Sequence, residues 1–246
     1  MKKSFLLLLI VAFAYSLHAG ETTGKDQEWT IAGWAGVTNN GISLIPNFSL
    51  GEPAVQFNLS LGRERLSFET DFNFSWEGKP WYILYWLRYQ MITAERFQMS
   101  TATHLGINFR PSEVIVGSRP ETMLTSERYW VAELFPRYHI SKKVTAGIFY
   151  LFSIGLDPGT AATTHFVTLN TSFSDLKLFQ DYYLNINPQV YYLKQETLDG
   201  VYFTSSFTLG KHDLPFTLST LFNQVVSTRI AGNGDFVWNL SLRYSW

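Results

Sequence analysis

From Phe236 to Trp246 the chain alternates without a break. Phe236, Trp238, Leu240, Leu242, Tyr244 and Trp246 share one parity; Val237, Asn239, Ser241, Arg243 and Ser245 share the other. A period of two belongs to a β-strand, whose successive side chains leave opposite faces. A helix brings residues three and four apart onto one face and would mix the two sets. One face of this strand is apolar and largely aromatic, so the strand must divide a dry environment from a wet one.

The same rhythm runs through most of the chain. Strands are expected near 28–38, 54–62, 65–76, 80–92, 96–109, 127–140, 143–156, 164–173, 181–194, 200–210, 214–226 and 235–246. They are 9 to 14 residues long, near the length of about 9–11 residues that crosses a bilayer at a tilt. Leu66, Phe68, Phe72, Phe74 and Trp76 oppose Ser67, Glu69, Asp71, Asn73 and Ser75. Trp81, Ile83, Tyr85, Leu87, Tyr89 and Met91 are expected to face outward, against Tyr82, Leu84, Trp86, Arg88 and Gln90 inward. Pro136 and Pro188 fall inside expected strands and remove ladder donors, so they should mark bulges or strand ends, and ten strands is the alternative count.

At the other terminus Lys2 and Lys3 precede an apolar run, Phe5 to Leu17, and a small-residue site at Ala19-Gly20. A basic start, a short apolar core and a small-residue site make a secretory signal peptide, and the run is shorter than the roughly 20 residues a spanning helix needs. The expected division is a signal peptide over 1–19, a polar periplasmic lead-in over 20–27 and one β-barrel over 28–246. Without Lys2 and Lys3 the 19 basic residues become 17 against 20 acidic ones, so no basic excess exists to hold nucleic acid. There is no cysteine, which excludes a disulfide-stapled secreted scaffold. The mean hydropathy of −0.01 fits a barrel wall, in which lipid-facing and lumen-facing residues cancel. Aromatics make up 17% of the residues, with 8 Trp and 13 Tyr, enough to furnish two interfacial girdles.

Together, the export signal, the strand rhythm and a last strand ending on Tyr244-Ser245-Trp246 resemble bacterial outer-membrane β-barrel proteins. The resemblance is to the broad class. It implies an all-β fold, a single antiparallel transmembrane barrel of about 12 strands, in the outer membrane. It also implies that Tyr244 and Trp246 help the barrel-assembly machinery recognise the chain. Bacterial barrels keep short turns in the periplasm and long loops outside. Segments 39–53, 110–126 and 227–234 are long, whereas 62–65, 93–95, 141–143 and 210–213 are short, which places the long ones outside; Glu77-Gly78-Lys79-Pro80 is short but falls on the long side.

The chemistry lies in the inward set. Glu69, Asp71, Arg88, Glu133, Arg137 and Arg243 face the lumen, and so do His104 and His139. Such groups either line a selective path for a small polar solute or form a balanced ion-pair network filling a narrow barrel. Inward Tyr82, Trp86, Phe135, Phe149, Tyr183, Tyr191 and Tyr202 narrow the bore or stack on a flat ligand. Segment 112–127 either folds inward as a constriction or stands as mobile surface. Outer-membrane lipid hydrolases resemble each other in an H-x-S pair, in which His activates Ser. His139-Ile140-Ser141 is the one match, at a short-turn end where those enzymes do not work. No metal cluster, phosphate loop or cofactor motif is present in the sequence. The expected function is a narrow passive channel for small polar solutes. A non-conducting barrel that is structural or binds a partner, and a lipid-modifying enzyme, are the alternatives.

Overall fold

A computed structural model describes residues 28–246 apart from Ser118 and Asn233; the expected signal peptide and lead-in lie outside the described residues. Twelve antiparallel strands form a closed barrel in which each pairs with its neighbours in sequence. They are β1 (Thr30–Thr38), β2 (Ala54–Arg63), β3 (Leu66–Ser75), β4 (Pro80–Thr93), β5 (Phe97–Val116), β6 (Arg119–His139), β7 (Val144–Gly155), β8 (Thr163–Lys177), β9 (Tyr182–Gln195), β10 (Leu198–Lys211), β11 (Phe216–Thr228) and β12 (Phe236–Ser245). Closure is made by β1 against β12, from Trp34↔Ser245 to Thr38↔Ser241. A closed barrel leaves no unpaired edge around its wall, the condition for placing strands in hydrocarbon.

Alternation becomes two environments. Ile148, Leu169, Val190 and Phe203 lie directly opposite one another across β7 to β10 on the outer face. All four are solvent-exposed, Leu169 to 62%. A soluble protein rarely exposes so continuous an apolar surface, and in a bilayer that surface meets acyl chains. The opposite parity holds Asn170, Gln189 and Thr204 inside.

One end of the barrel carries tight turns: 64–65, 94–96, 140–143, 178–181 and 212–215. The other carries the 39–53 segment and the connections 156–162 and 229–235. These are called the turn end and the loop end.

Three local expectations are corrected. Segment 110–126 is neither loop nor constriction: β5 and β6 continue to Val116 and Arg119 and pair from Phe109↔Ser126 to Val116↔Arg119. Flanking strands stop short, β4 at Tyr82↔Asn108 and β7 at Tyr129↔Gly155, so this ribbon stands beyond the rim. Each of its strands has an unpaired edge, which is why Pro111 and Pro120 are tolerated. Gly117 turns its tip at φ 55°, in the left-handed region that glycine enters freely.

Pro136 and Pro188 neither end strands nor shift the register beside them. Pro136 pairs with Met99, and only the ladder towards β7 is interrupted, between Leu134↔Tyr150 and Arg137↔Gly147. Pro188 pairs with Ser205, and the ladder to β8 lapses between Asn170↔Gln189 and Phe173↔Ile186. Each proline sacrifices rungs on one side while the other side holds the strand.

Trp81 does not face outward. The register shifts between Asn73↔Tyr82 and Phe74↔Pro80, leaving Trp81 as the extra residue of a bulge. Bulges re-aim side chains, and this indole is buried, 2% exposed, beneath the 39–53 segment.

Candidate functional site

The barrel interior has two levels. Towards the turn end it carries the charged residues expected from the alternation. Arg88 on β4 is within 3.3 Å of Glu69 on β3 and 3.5 Å of Glu133 on β6. β4 and β6 are separated by β5, so the Arg88–Glu133 contact spans a strand across the concave face. Asn58 donates a 2.8 Å hydrogen bond to Asp71. His104 packs against Trp86, with ring centroids 3.7 Å apart, and is buried.

Arg137 and Arg243 differ. Neither has a carboxylate within ion-pair distance among the described residues. Arg137 lies 5.0 Å from the Phe135 ring, and Arg243 lies 4.2 Å from that of Trp34. Both side chains remain half-buried. The structure thus brings Glu69, Arg88 and Glu133 into one chain of contacts, hydrogen-bonds Asp71 to Asn58, packs His104 on Trp86, and leaves Arg137 and Arg243 without a direct ion pair among the described residues. Tyr244 and Trp246 lie on the outer face, with ring centroids 6.0 Å apart.

The H-x-S pair is not assembled. His139 Nδ1 bonds the Thr145 hydroxyl at 2.9 Å. Ser141 Oγ accepts from the backbone N–H groups of Lys143 and Val144, closing the β6–β7 turn.

Towards the loop end the bore is occupied by the chain itself. Residues 39–53 fold inward as a pinched loop. Its neck is closed by Gly41 N–H donating to Glu52 O at 2.8 Å and Leu50 N–H donating to Gly41 O at 2.8 Å. Its head is a single 3-10 turn, Pro46–Phe48, braced by Ser43 N–H donating to Ser49 Oγ at 3.0 Å. Gly41 is required at the neck, because a Cβ there would meet the Trp81 ring at 2.9 Å.

The head is fastened to the wall. Trp81 Nε1–H donates to Phe48 O at 2.8 Å. The Phe48 ring packs on Tyr129 of β6 at 5.1 Å. Leu44 and Ile45 pack on a buried cluster of Phe166, Tyr191, Leu193, Tyr202 and Ile230. On β2, β3 and β5, Ala54, Asn73, Ser75 and Asn108 are buried at the level of the loop. On the opposite side a cleft of about 130 Å³ separates the loop from β10–β12, lined by Ser43, Ser49, Tyr202, Asn223, Thr228 and Asp235. Its floor is ordered by Tyr191 donating to Asn223 Oδ1 at 3.0 Å and by the Tyr202–Thr228 hydroxyl contact at 2.6 Å.

The inward packing of residues 39–53 was not anticipated from the sequence. The available signal was Ile42, Leu44, Ile45, Phe48 and Leu50, a set of apolar residues in a segment otherwise read as external loop. Glu127 was not anticipated either: it faces inward, pairs with Arg110 and accepts from the Tyr129 hydroxyl at 3.0 Å.

This is the architecture of bacterial outer-membrane β-barrels, and solved structures agree. The chain is similar to the KdgM porin in complex with disordered oligogalacturonate, with a TM-score of 0.55 and 10% identity, covering 88% of this chain and 99% of that one. It is similar to the NanC porin with a TM-score of 0.51 and 8% identity, covering 88% and 98%. At such identity the likeness is one of fold. No family model and no curated protein sequence matches the chain.

Proposed function

We propose that this protein is a narrow, porin-like outer-membrane channel for small polar solutes, with the 39–53 loop as its built-in constriction. The observation that carries the reading is the pair Arg137 and Arg243. Two guanidinium groups inside a barrel, half-buried and without a carboxylate partner, demand water. A lumen filled by side chains would have paired or excluded them. Glu69, Asp71, Arg88, His104 and Glu133 complete the lining at that level, and the cleft beside Ser43, Ser49 and Asn223 is the passage at the loop end. The names of the two similar barrels, both porins, support the same class. Outer-membrane lipid surrounds the apolar band, the assembly machinery inserts the barrel, and the loop end faces outward.

The test is ion selectivity in planar bilayers. Because Arg88 is already paired, the cleaner variant is Arg137→Gln with Arg243→Gln. Reversal potentials should move towards cation preference; unchanged potentials in a conducting barrel would remove both arginines from the path.

One observation favours a second reading. The 39–53 loop is fastened by buried apolar contacts, as a plug would be, and a barrel sealed there would serve as a scaffold or bind a partner through its loop end. Folded protein that conducts nothing, with and without the loop head, would select that reading.

A further inference from the structure

Outside the barrel, near the loop end, a row of side chains crosses four strands where the apolar band stops. Phe152, His165, Lys194 and Asp199 are directly opposite one another from β7 to β10. Arg229, just beyond β11, reaches the same row. Its Nε and Nη2 donate to Asp199 Oδ1 at 3.0 and 2.7 Å, and the Tyr192 hydroxyl donates to Asp199 Oδ2 at 3.2 Å. Asp199 is thereby occupied. Lys194 is exposed and makes no ion pair among the described residues. The Tyr150 hydroxyl and His165 Nδ1 are 2.9 Å apart and hydrogen-bonded, which holds the imidazole on the outer face opposite Lys194.

Placement decides what such a row meets. Tyr150, Val167 and Tyr192 follow it on the same outer face, and below them lies the fully apolar row of Ile148, Leu169, Val190 and Phe203. Tyrosines at this level mark the boundary between hydrocarbon and headgroups. A lysine there lays its stem on the apolar band and lifts its ammonium into the headgroup layer. Arg229 and Asp199 neutralise each other, which leaves the Lys194 ammonium as the charge of this row, with the His165 ring directly opposite it; phosphate accepts from an ammonium and from an imidazole N–H alike. Arg128 on the same rim is held as Arg229 is, its guanidinium and its backbone N–H both donating to Asp157.

We propose that Lys194, with His165 beside it, forms a binding site for the phosphate of a membrane lipid headgroup in the leaflet at the loop end. The inference rests on the outer-membrane reading and is independent of whether the lumen conducts.

The test uses the full folded barrel in vesicles, with folding shown by its shift on unheated gels. The vesicles contain either a phosphorylated glycolipid or the same glycolipid with its phosphates removed, and lipid retained after extraction is read by native mass spectrometry. The wild-type barrel should retain the phosphorylated form about fivefold more, the scale of one basic side chain at a membrane surface. Lys194→Ala with His165→Ala should reduce that preference to near one, and Lys194→Arg should keep it. Equal retention of both lipids, or an undiminished preference in the double variant, overturns the site. Displacement of the lipid by millimolar inorganic phosphate would assign the contact to free phosphate and overturn the lipid as its source. A barrel that folds in vesicles but shows no preference fails this inference alone; one that does not insert fails the membrane reading beneath it.

Discussion

A guanidinium inside a barrel is stabilised by a carboxylate or by water, and the three inward arginines divide on that line. Arg88 sits between Glu69 and Glu133; Arg137 and Arg243 make no direct ion pair among the described residues and lie against an aromatic face each. The parity of each residue was legible in the sequence, because period two sorts a strand into faces without knowledge of its partners. The pairing was not, since Arg88 reaches Glu133 across an intervening strand and that register is a tertiary property. Trp81 was misplaced for a related reason: a bulge changes parity, and an extra residue in one strand is visible only against its partner. The Trp81 indole carries a test of its own. Trp81→Phe keeps most of the buried ring but leaves Phe48 O without its donor, a loss of about 1–3 kcal/mol where the carbonyl stays buried. The loop head should then be cut faster by protease added at the loop end, with the barrel's gel shift intact. Unchanged cleavage would show that packing on Tyr129 and the Tyr202 cluster holds the head without the hydrogen bond.

Among the elements, two loop-end segments exchanged roles. Segment 110–126 contains two prolines and was read as loop, yet it is ribbon, because a pair of strands beyond the rim needs only its own ladder. Segment 39–53 was read as external, yet its apolar residues pack inside the mouth. Loop length and polarity are weak guides here; the content of Leu44, Ile45 and Phe48 was the better one, since apolar side chains seek burial wherever the fold offers it. The connection 156–162 offers a pH test. Asp157 accepts from the Arg128 side chain and backbone N–H, and the side-chain hydrogen bond first, then the backbone one, holds its carboxyl below the usual carboxylate range. A depressed pKa means the contact is present above the unfolded value and lost as pH falls through the folded one. Protection of the 156–162 amides, taken relative to the intrinsic exchange rate at each pH, should therefore fall on acidification below the ordinary carboxylate range, and Asp157→Asn should lower it at neutral pH. Protection indifferent to both would remove the clamp. Along the wall, Leu169→Arg places a charge in the middle of the outer band and should cost about 2–4 kcal/mol in urea titrations in vesicles. Asn170→Arg, one residue on and facing the lumen, should cost far less; equal costs would mean that the two faces are not lipid and water.

For the molecule as a whole, the fold was the most legible level. Twelve strands, their approximate bounds and the all-β class followed from alternation repeated along the chain, a signal that survives small errors in any one strand. The state of the bore was not legible, because it depends on a loop and a wall far apart in sequence meeting at Phe48 and Tyr129. What the barrel does turns on that meeting. In the proposed channel, water passes a wetted, arginine-bearing lumen and squeezes by the 39–53 loop through the cleft at β10–β12. The most direct test is single-channel conductance of the refolded protein in a planar bilayer, beside a variant in which residues 42–49 are replaced by a short Gly/Ser bridge. Small discrete steps from the native chain and clearly larger ones from the variant are predicted. Silence from both, with folding demonstrated by gel shift, would contradict the channel.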